Sequence, residues 1–132
     1  MMIDFQALKK SAKNITAEMP IYKLAILGDC ATQHISTALR GLAGLNGFAL
    51  NIFDADYNQI FEQIIDDQSE LYRFSPQSVL LIMCTEKLAA SFMCLQESAR
   101  AAFADNTIKT IQHYWDSISL KTSASILQFN FV

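Results

Sequence analysis

Charge is scarce in this chain. Its 132 residues hold 10 Lys and Arg against 13 Asp and Glu, a formal net charge of −3 at pH 7. That balance excludes the basic footprint by which nucleic-acid binders engage phosphate. Lys9, Lys10 and Lys13 form the one basic cluster, and on a short amphipathic segment it reads as a solvated helix face. Long apolar runs are missing as well. The longest, Val79 to Cys84, is strand-sized, whereas roughly 20 apolar residues are needed to span a bilayer. The N-terminus carries Asp4 early and has no long apolar stretch after its lysines, which excludes a signal peptide. Cysteine is limited to 3 residues; an odd count implies reduced thiols and a cytoplasmic location. Low-complexity tracts and internal repeats are absent.

What is there is a core. Hydrophobic residues make up 52% of the chain, enough to exclude disorder, and the length suits one domain. Phe5, Leu8, Ala12 and Ile15 recur at helical spacing, so residues 1–19 predict an N-terminal helix, broken at Met19-Pro20. Residues 20–132 then alternate strand and helix. Leu24 to Leu27 reads as a strand buried on both faces, and residues 31–43 as a helix through Ile35, Leu39 and Leu42. Phe48 to Phe53 is a second strand. A helix follows with Tyr57, Ile60, Phe61, Ile64 and Ile65 on its apolar stripe. A turn near Leu71 and Tyr72 leads to the strand Val79 to Cys84. Leu88, Phe92, Leu95, Ala99 and Ala102 predict one long helix, and Asp105-Asn106-Thr107 a cap for the next, which carries Ile108, Ile111, Trp115 and Ile118. Ser125 to Val132 alternates as a fourth strand.

Such alternation predicts an α/β fold: a three-layer, Rossmann-like, doubly wound parallel sheet of order 2-1-3-4. Ending on an apolar strand leaves an edge exposed. The expectation is a continuation of the protein beyond residue 132, or a partner chain pairing with that strand in a homo-oligomer.

Ligands of open parallel sheets bind at the carboxyl ends of the strands, where the strand order reverses. There the order would gather Gly28, Asp29, Cys30, Thr32 and Gln33 with Cys84, Thr85 and Glu86. The loop after the second strand would add Asp54, Asp56, Tyr57, Asn58 and Gln59. Cys30 precedes a helix whose positive end would lower a thiol pKa and create a nucleophile; the alternative is a small apolar residue packed at a helix start. Cys84 would lie near Cys30, where a redox or metal pair is conceivable, although no CxxC or His-containing ligand spacing supports one. Cys94 reads as core. Asp29 would orient a partner or hold a metal, or else satisfy loop amides. His34 and His113 have no acid placed to orient them. Trp115 reads as core or docking surface.

Leu24-Ala25-Ile26-Leu27-Gly28-Asp29-Cys30 resembles the first block of SGNH (GDSL-type) hydrolases, with Cys in the serine position. Asp56 to Ile60, Ile64 to Asp67 and Ser69 to Pro76, followed by the apolar strand, resemble the N-terminal region of FkbH-like proteins. The resemblance covers about residues 20–132. It implies an SGNH-like domain joined to a phosphatase domain of the haloacid dehalogenase (HAD) superfamily, in proteins that transfer a glyceryl unit from a phosphorylated glycerate to an acyl carrier protein. Magnesium would belong to that later domain, and no cofactor to this one. The SGNH pattern carries over incompletely. Its nucleophile maps to Cys30, its second-block glycine has no counterpart between Asp54 and Gln59, and Asn58 is the substitute donor there. Its third-block Asn falls near Thr85 or Glu86, and its Asp-x-x-His beyond Val132. The resemblance thus implies an auxiliary domain, inactive alone, that docks onto the HAD-type domain or an acyl carrier. The alternatives are a Cys30-dependent thioesterase or acyltransferase and an assembly module.

Overall fold

The computed structural model describes residues 3–131. In chain order the elements are α1 (Phe5–Ser11), β1 (Ile21–Gly28), α2 (Gln33–Leu45), β2 (Ala49–Asp54), α3 (Ile60–Ile65), α4 (Glu70–Phe74), β3 (Ser78–Ile82), α5 (Thr85–Cys94), α6 (Glu97–Arg100), α7 (Phe103–Lys121) and β4 (Ser125–Gln128). The four strands form one sheet in the order β2-β1-β3-β4. Every pairing is parallel, with Leu24 opposite Ile52 and Ser78, and Leu80 opposite Leu127. The α/β class and the 2-1-3-4 order are those expected from the sequence.

Successive side chains of a strand point to opposite faces, and β1 and β3 are apolar on both. Ala25, Leu27, Val79 and Leu81 pack against Ile60 and Ile64 of α3, Leu71 of α4 and Ile118 of α7. Leu24, Ile26, Leu80 and Ile82 face the other way, where Ile35 and Leu39 of α2 cover them. Two helical layers thus enclose the sheet. Lys121 ties the first layer together: its ammonium bridges Asp67 at 2.6 Å and donates to the carbonyls of Ile64 and Ile65 at the end of α3.

On the second face α1 lies against α2. A Cβ at Gly41 would sit 2.3 Å from the Leu8 carbonyl oxygen, so only glycine lets the two backbones meet there. Ser11 Oγ donates to the Gly41 carbonyl at 3.0 Å in the same crossing.

Several boundaries differ from those read in the sequence. α1 stops at Ser11, short of Ile15. Tyr57 stays outside α3 and is 65% exposed, because Asn58 takes a left-handed φ of 61° just before the helix. The turn at Leu71 and Tyr72 is the short helix α4, closed by Ser75 at φ 54°. The long helix expected from Leu88 to Ala102 breaks at Leu95, whose ψ of 146° is extended. Neither α5 nor α6 buries a residue; their apolar stripe has no sheet beneath it to hold one continuous helix. Arg100 satisfies the carbonyls freed at the break, donating to Leu95 and Met93 at 3.2 Å each. Asp105-Asn106-Thr107 do not cap a helix start. They lie inside α7, where Thr107 Oγ1 bonds back to the Phe103 carbonyl at 2.9 Å. β4 ends at Gln128, with one further ladder bond from Phe129 N–H to Leu81 O at 3.1 Å. Val132, the last residue of the expected strand, lies outside the described residues.

The α1–α2 crossing makes a sharp test. Gly41→Ala gains helix propensity of about 1 kcal/mol, but forcing the backbones apart costs about 1–3 kcal/mol. A net loss of stability of up to about 2 kcal/mol is expected from urea titration, with α1 more open to hydrogen exchange.

Candidate functional site

The carboxyl ends of β1 and β3 meet at the reversal of strand order. Gly28 pairs with Ile82, and the Asp29 N–H donates to the Ile82 carbonyl at 3.1 Å. The Asp29 carboxylate accepts from the Cys84 N–H at 2.8 Å. Asp29 is therefore a loop tie of the kind its position allows, joining the β1–α2 turn to the β3–α5 turn. Gly28 is needed at this corner because a Cβ would come within 2.7 Å of Thr32 Cγ2.

A second tie closes the other side of β1. Thr32 Oγ1 and Ser36 Oγ each donate to one carboxylate oxygen of Asp54 at 2.5 Å. Thr32 and Ser36 are only 3% and 2% exposed. Thr32 occupies the cap position of α2 yet makes no side-chain bond to the helix amides, because its hydroxyl is given to Asp54. Thr32 lines the cleft beside Cys30, with its hydroxyl engaged by Asp54. Gln33 is exposed as the first residue of α2. Asn58 reaches the corner through its backbone, its N–H donating to the Gly28 carbonyl at 3.2 Å.

Cys30 and Cys84 are free thiols, each half-buried. Cys30 packs against the apolar cluster on the α2 side of the sheet, formed by Leu24, Ile26, Leu80 and Ile82. Burial pushes its pKa up, and the nearby Asp29 pushes it further, with Lys87 pulling the other way. This direction is opposite to that expected from a helix start. The cause is positional: α2 begins at Gln33, so Cys30 precedes the cap residue, and the dipole's influence falls off within about one turn. The Cys84 thiol donates to Glu86 Oε2 at 2.8 Å. That bond, with one from the Glu86 backbone N–H, holds the Glu86 carboxyl below the usual carboxylate range. Thr85 begins α5 beside them.

Lys87 escaped the reading of the sequence. Its ammonium lies 4.2 Å from the centroid of the Tyr57 ring. A hydrogen bond with Tyr57 raises its pKa, and Asp29 and Cys84 add to the shift. Lys87 thereby links α5 to the β2–α3 loop across the rim. The available signal was a lysine in the first turn of a helix, the end where a cation is least favoured. Ser36 was missed as well, although Thr32 and Ser36 stand one helical turn apart and share a face.

Neither histidine reaches this corner. His34 packs edge-on against Phe5 at 5.5 Å, and His113 is exposed on α7. Cys94, expected in the core, is exposed at the end of α5. The cleft beside Cys30, Gln33, Asp54, Asp56 and Tyr57 measures about 270 Å³. Two hollows are larger, and the first adjoins this cleft through Asp54 and Asp56 and takes in Gln59. One of about 370 Å³ is acidic, with Asp56, Glu62, Asp66, Glu70 and Arg73 on its walls. Another of about 370 Å³ is an apolar groove between α7 and the segment after β4, formed by Ile108, Ile111, Trp115, Phe129 and Phe131. Among the described residues, no three His, Cys, Asp or Glu side chains are grouped to hold a metal, and no helix is long and apolar enough to cross a membrane.

A parallel α/β sheet with its polar ties at the strand-order reversal is the class of this domain. The chain matches the FkbH N-terminal domain family over residues 23–132 and belongs to that family. A solved structure is similar to it: the N-terminal part of the protein BF1531 from Bacteroides fragilis, which contains a phosphatase domain complexed with Mg. The two superpose with a TM-score of 0.87 at 27% identity, over 98% of this chain and 33% of that one. This chain therefore spans a third of the length of its structural neighbour. No curated protein matches it.

Two measurements test the rim. Because the Cys30 pKa is raised by burial and Asp29, its iodoacetamide alkylation should rise with pH along a curve displaced to higher pH than that of a free cysteine. Asp29→Asn should move that curve back down, and Lys87→Met should move it up. Ser36→Ala, which removes a hydroxyl bonded to a carboxylate, should lower stability by about 1–3 kcal/mol in urea titration.

Proposed function

We propose that this domain is an auxiliary, SGNH-like module that docks onto a HAD-type phosphatase domain of its own protein, helps present an acyl carrier to it, and does no catalysis by itself. The open side of β4 carries the proposal. Among the described residues β4 pairs with β3 alone, and beside it Leu127 is 51%, Phe129 47% and Trp115 39% exposed. The apolar groove with Ile108 and Ile111 adjoins this edge on one face. On the other face Leu24, Leu50 and Leu127 border a second hollow of about 290 Å³. An unpaired strand edge flanked by large apolar side chains is a surface for another polypeptide. The occupant proposed follows from the solved neighbour, whose chain is about three times as long as the matched part and contains a phosphatase domain.

The rim favours the auxiliary role. The carboxylates of Asp29 and Asp54 are engaged in ties between loops, and the Cys30 thiol is pushed away from the thiolate form. A Cys30-dependent thioesterase would need an imidazole base and oxyanion donors supplied from outside residues 1–132. In the auxiliary reading magnesium sits in the phosphatase domain, the carrier follows from the family resemblance, and a reducing cytoplasm suits the unpaired thiols.

Isothermal titration calorimetry of this domain against the phosphatase domain of its parent protein tests the docking. Saturable binding is expected, weakened about tenfold or more by Trp115→Lys with Phe129→Asp, since buried aromatic anchors dominate interface energies. The variant should keep its Tm. Absence of binding by the unaltered domain would reject the proposal.

A further inference from the structure

We infer that Cys30 and Cys84 are a paired dithiol, a modification site that closes into an intramolecular disulfide on meeting a small disulfide oxidant such as oxidised glutathione. The placement comes from the sheet. Gly28 and Ile82 are the last register partners of β1 and β3, and neighbouring strands run about 4.8 Å apart. Each cysteine stands two residues beyond its member of that pair. Disulfides form between Cα atoms about 4.4–6.8 Å apart, so the two turns leave the sheet at a spacing suited to one. The Cys84 N–H bond to the Asp29 carboxylate, at 2.8 Å, holds the turns together beyond the last ladder bond.

Both residues also belong to the same face. Along β3 and its exit, Leu80 and Ile82 face α2, while Leu81 and Met83 pack on the opposite side. Alternation therefore puts Cys84 on the α2 side. Cys30 packs against Ile82 and its neighbours on that side too. The charges of the two thiols interact, Cys84 contributing to the raised Cys30 pKa. Cys94, exposed at the far end of α5, serves as an internal control.

The chemistry balances without any group the proposal leaves unnamed. Cys84 loses its thiol proton to solvent, and the thiolate attacks one sulfur of oxidised glutathione, whose S–S bond breaks and releases one glutathione thiolate that takes up a proton. Cys30, held protonated by burial and Asp29, then loses its proton to solvent and attacks the Cys84 sulfur. A Cys30–Cys84 bond forms as the second glutathione thiolate leaves. Two electrons pass from the protein to the oxidant, and two reduced glutathiones result. The Cys84–Glu86 hydrogen bond is lost on closure, and the β1–α2 and β3–α5 turns become covalently joined.

The test equilibrates the native chain in glutathione buffers from fully reduced to fully oxidised, quenches with iodoacetamide and maps peptides without reduction. A Cys30–Cys84 peptide with alkylated Cys94 is expected, at an intact mass lower by two hydrogens before alkylation. Cys94→Ser should still form the link, and Cys30→Ser or Cys84→Ser should not. The inference is overturned if both cysteines stay separately alkylated or glutathionylated in the oxidised buffer. It fails equally if Cys94 takes a partner's place, or if the link appears only in chains unfolded by urea. Cys94→Ser keeps the test decisive where a Cys30 or Cys84 variant does not fold.

Discussion

The pairing of β1 with β3 is the constraint on which everything at the functional rim depends. Both strands are buried on both faces, and their register runs from Leu24 opposite Ser78 to Gly28 opposite Ile82. A slip of one residue would exchange the side chains that face α2 with those that face α3 and α7, exposing one set and overcrowding the other. Burial therefore selects the register, and the register decides which residues stand at the end of the sheet. Asp29, Cys30 and Cys84 are neighbours because Ala25, Leu27, Val79 and Leu81 fill one layer while Leu24, Ile26, Leu80 and Ile82 fill the other. Distant core packing and the local chemistry of the rim are one problem here.

Polar groups then finish what the apolar layers begin. Parallel strands end in turns whose amides need acceptors, and the rim supplies carboxylates that accept from an amide and from hydroxyls. Asp29 ties the exits of β1 and β3, while Asp54 accepts two hydroxyls from α2. A carboxylate bonded to buried or half-buried donors is worth more to stability than an exposed one, because its partners would otherwise lose water without recompense. Lys87, stacked on Tyr57, adds a cationic strap across the outer side of the rim.

Elements dominated by burial were readable from the sequence, and those decided by local competition were not. The central strands declared themselves as unbroken apolar runs, and their alternation with helices gave the parallel 2-1-3-4 sheet. The corner at Gly28, Asp29, Cys84 and Glu86 followed from that order alone. The α5–α6 break did not. Leu88, Phe92 and Leu95 continue a helical period, yet no buried surface lies beneath them, so periodicity had no packing to enforce it. Asp105-Asn106-Thr107 resembled a cap, but caps compete with helix propagation, and Phe103 and Ala104 already belong to the helix. The bond from Thr32 to Asp54 was not legible, because Asp54 is distant in sequence and close only after β1 and β2 pair.

The resemblance to a hydrolase block at Gly28-Asp29-Cys30 also acquires a physical meaning from the structure. A nucleophile elbow needs its side chain free, its pKa low and a base within reach. Here the glycine is required by the approach of Thr32 Cγ2, and the aspartate by the half-buried N–H of Cys84. The cysteine packs against the aliphatic cluster on the α2 side of the sheet. Each of the three residues thus has a sufficient structural cause that makes no appeal to catalysis. A motif can persist as architecture after, or without, the reaction it serves elsewhere, since the tie between adjacent loops is valuable to the fold itself. By the same logic the uncovered surface at β4, which has no such structural cause inside residues 3–131, is where contact with another polypeptide is to be sought.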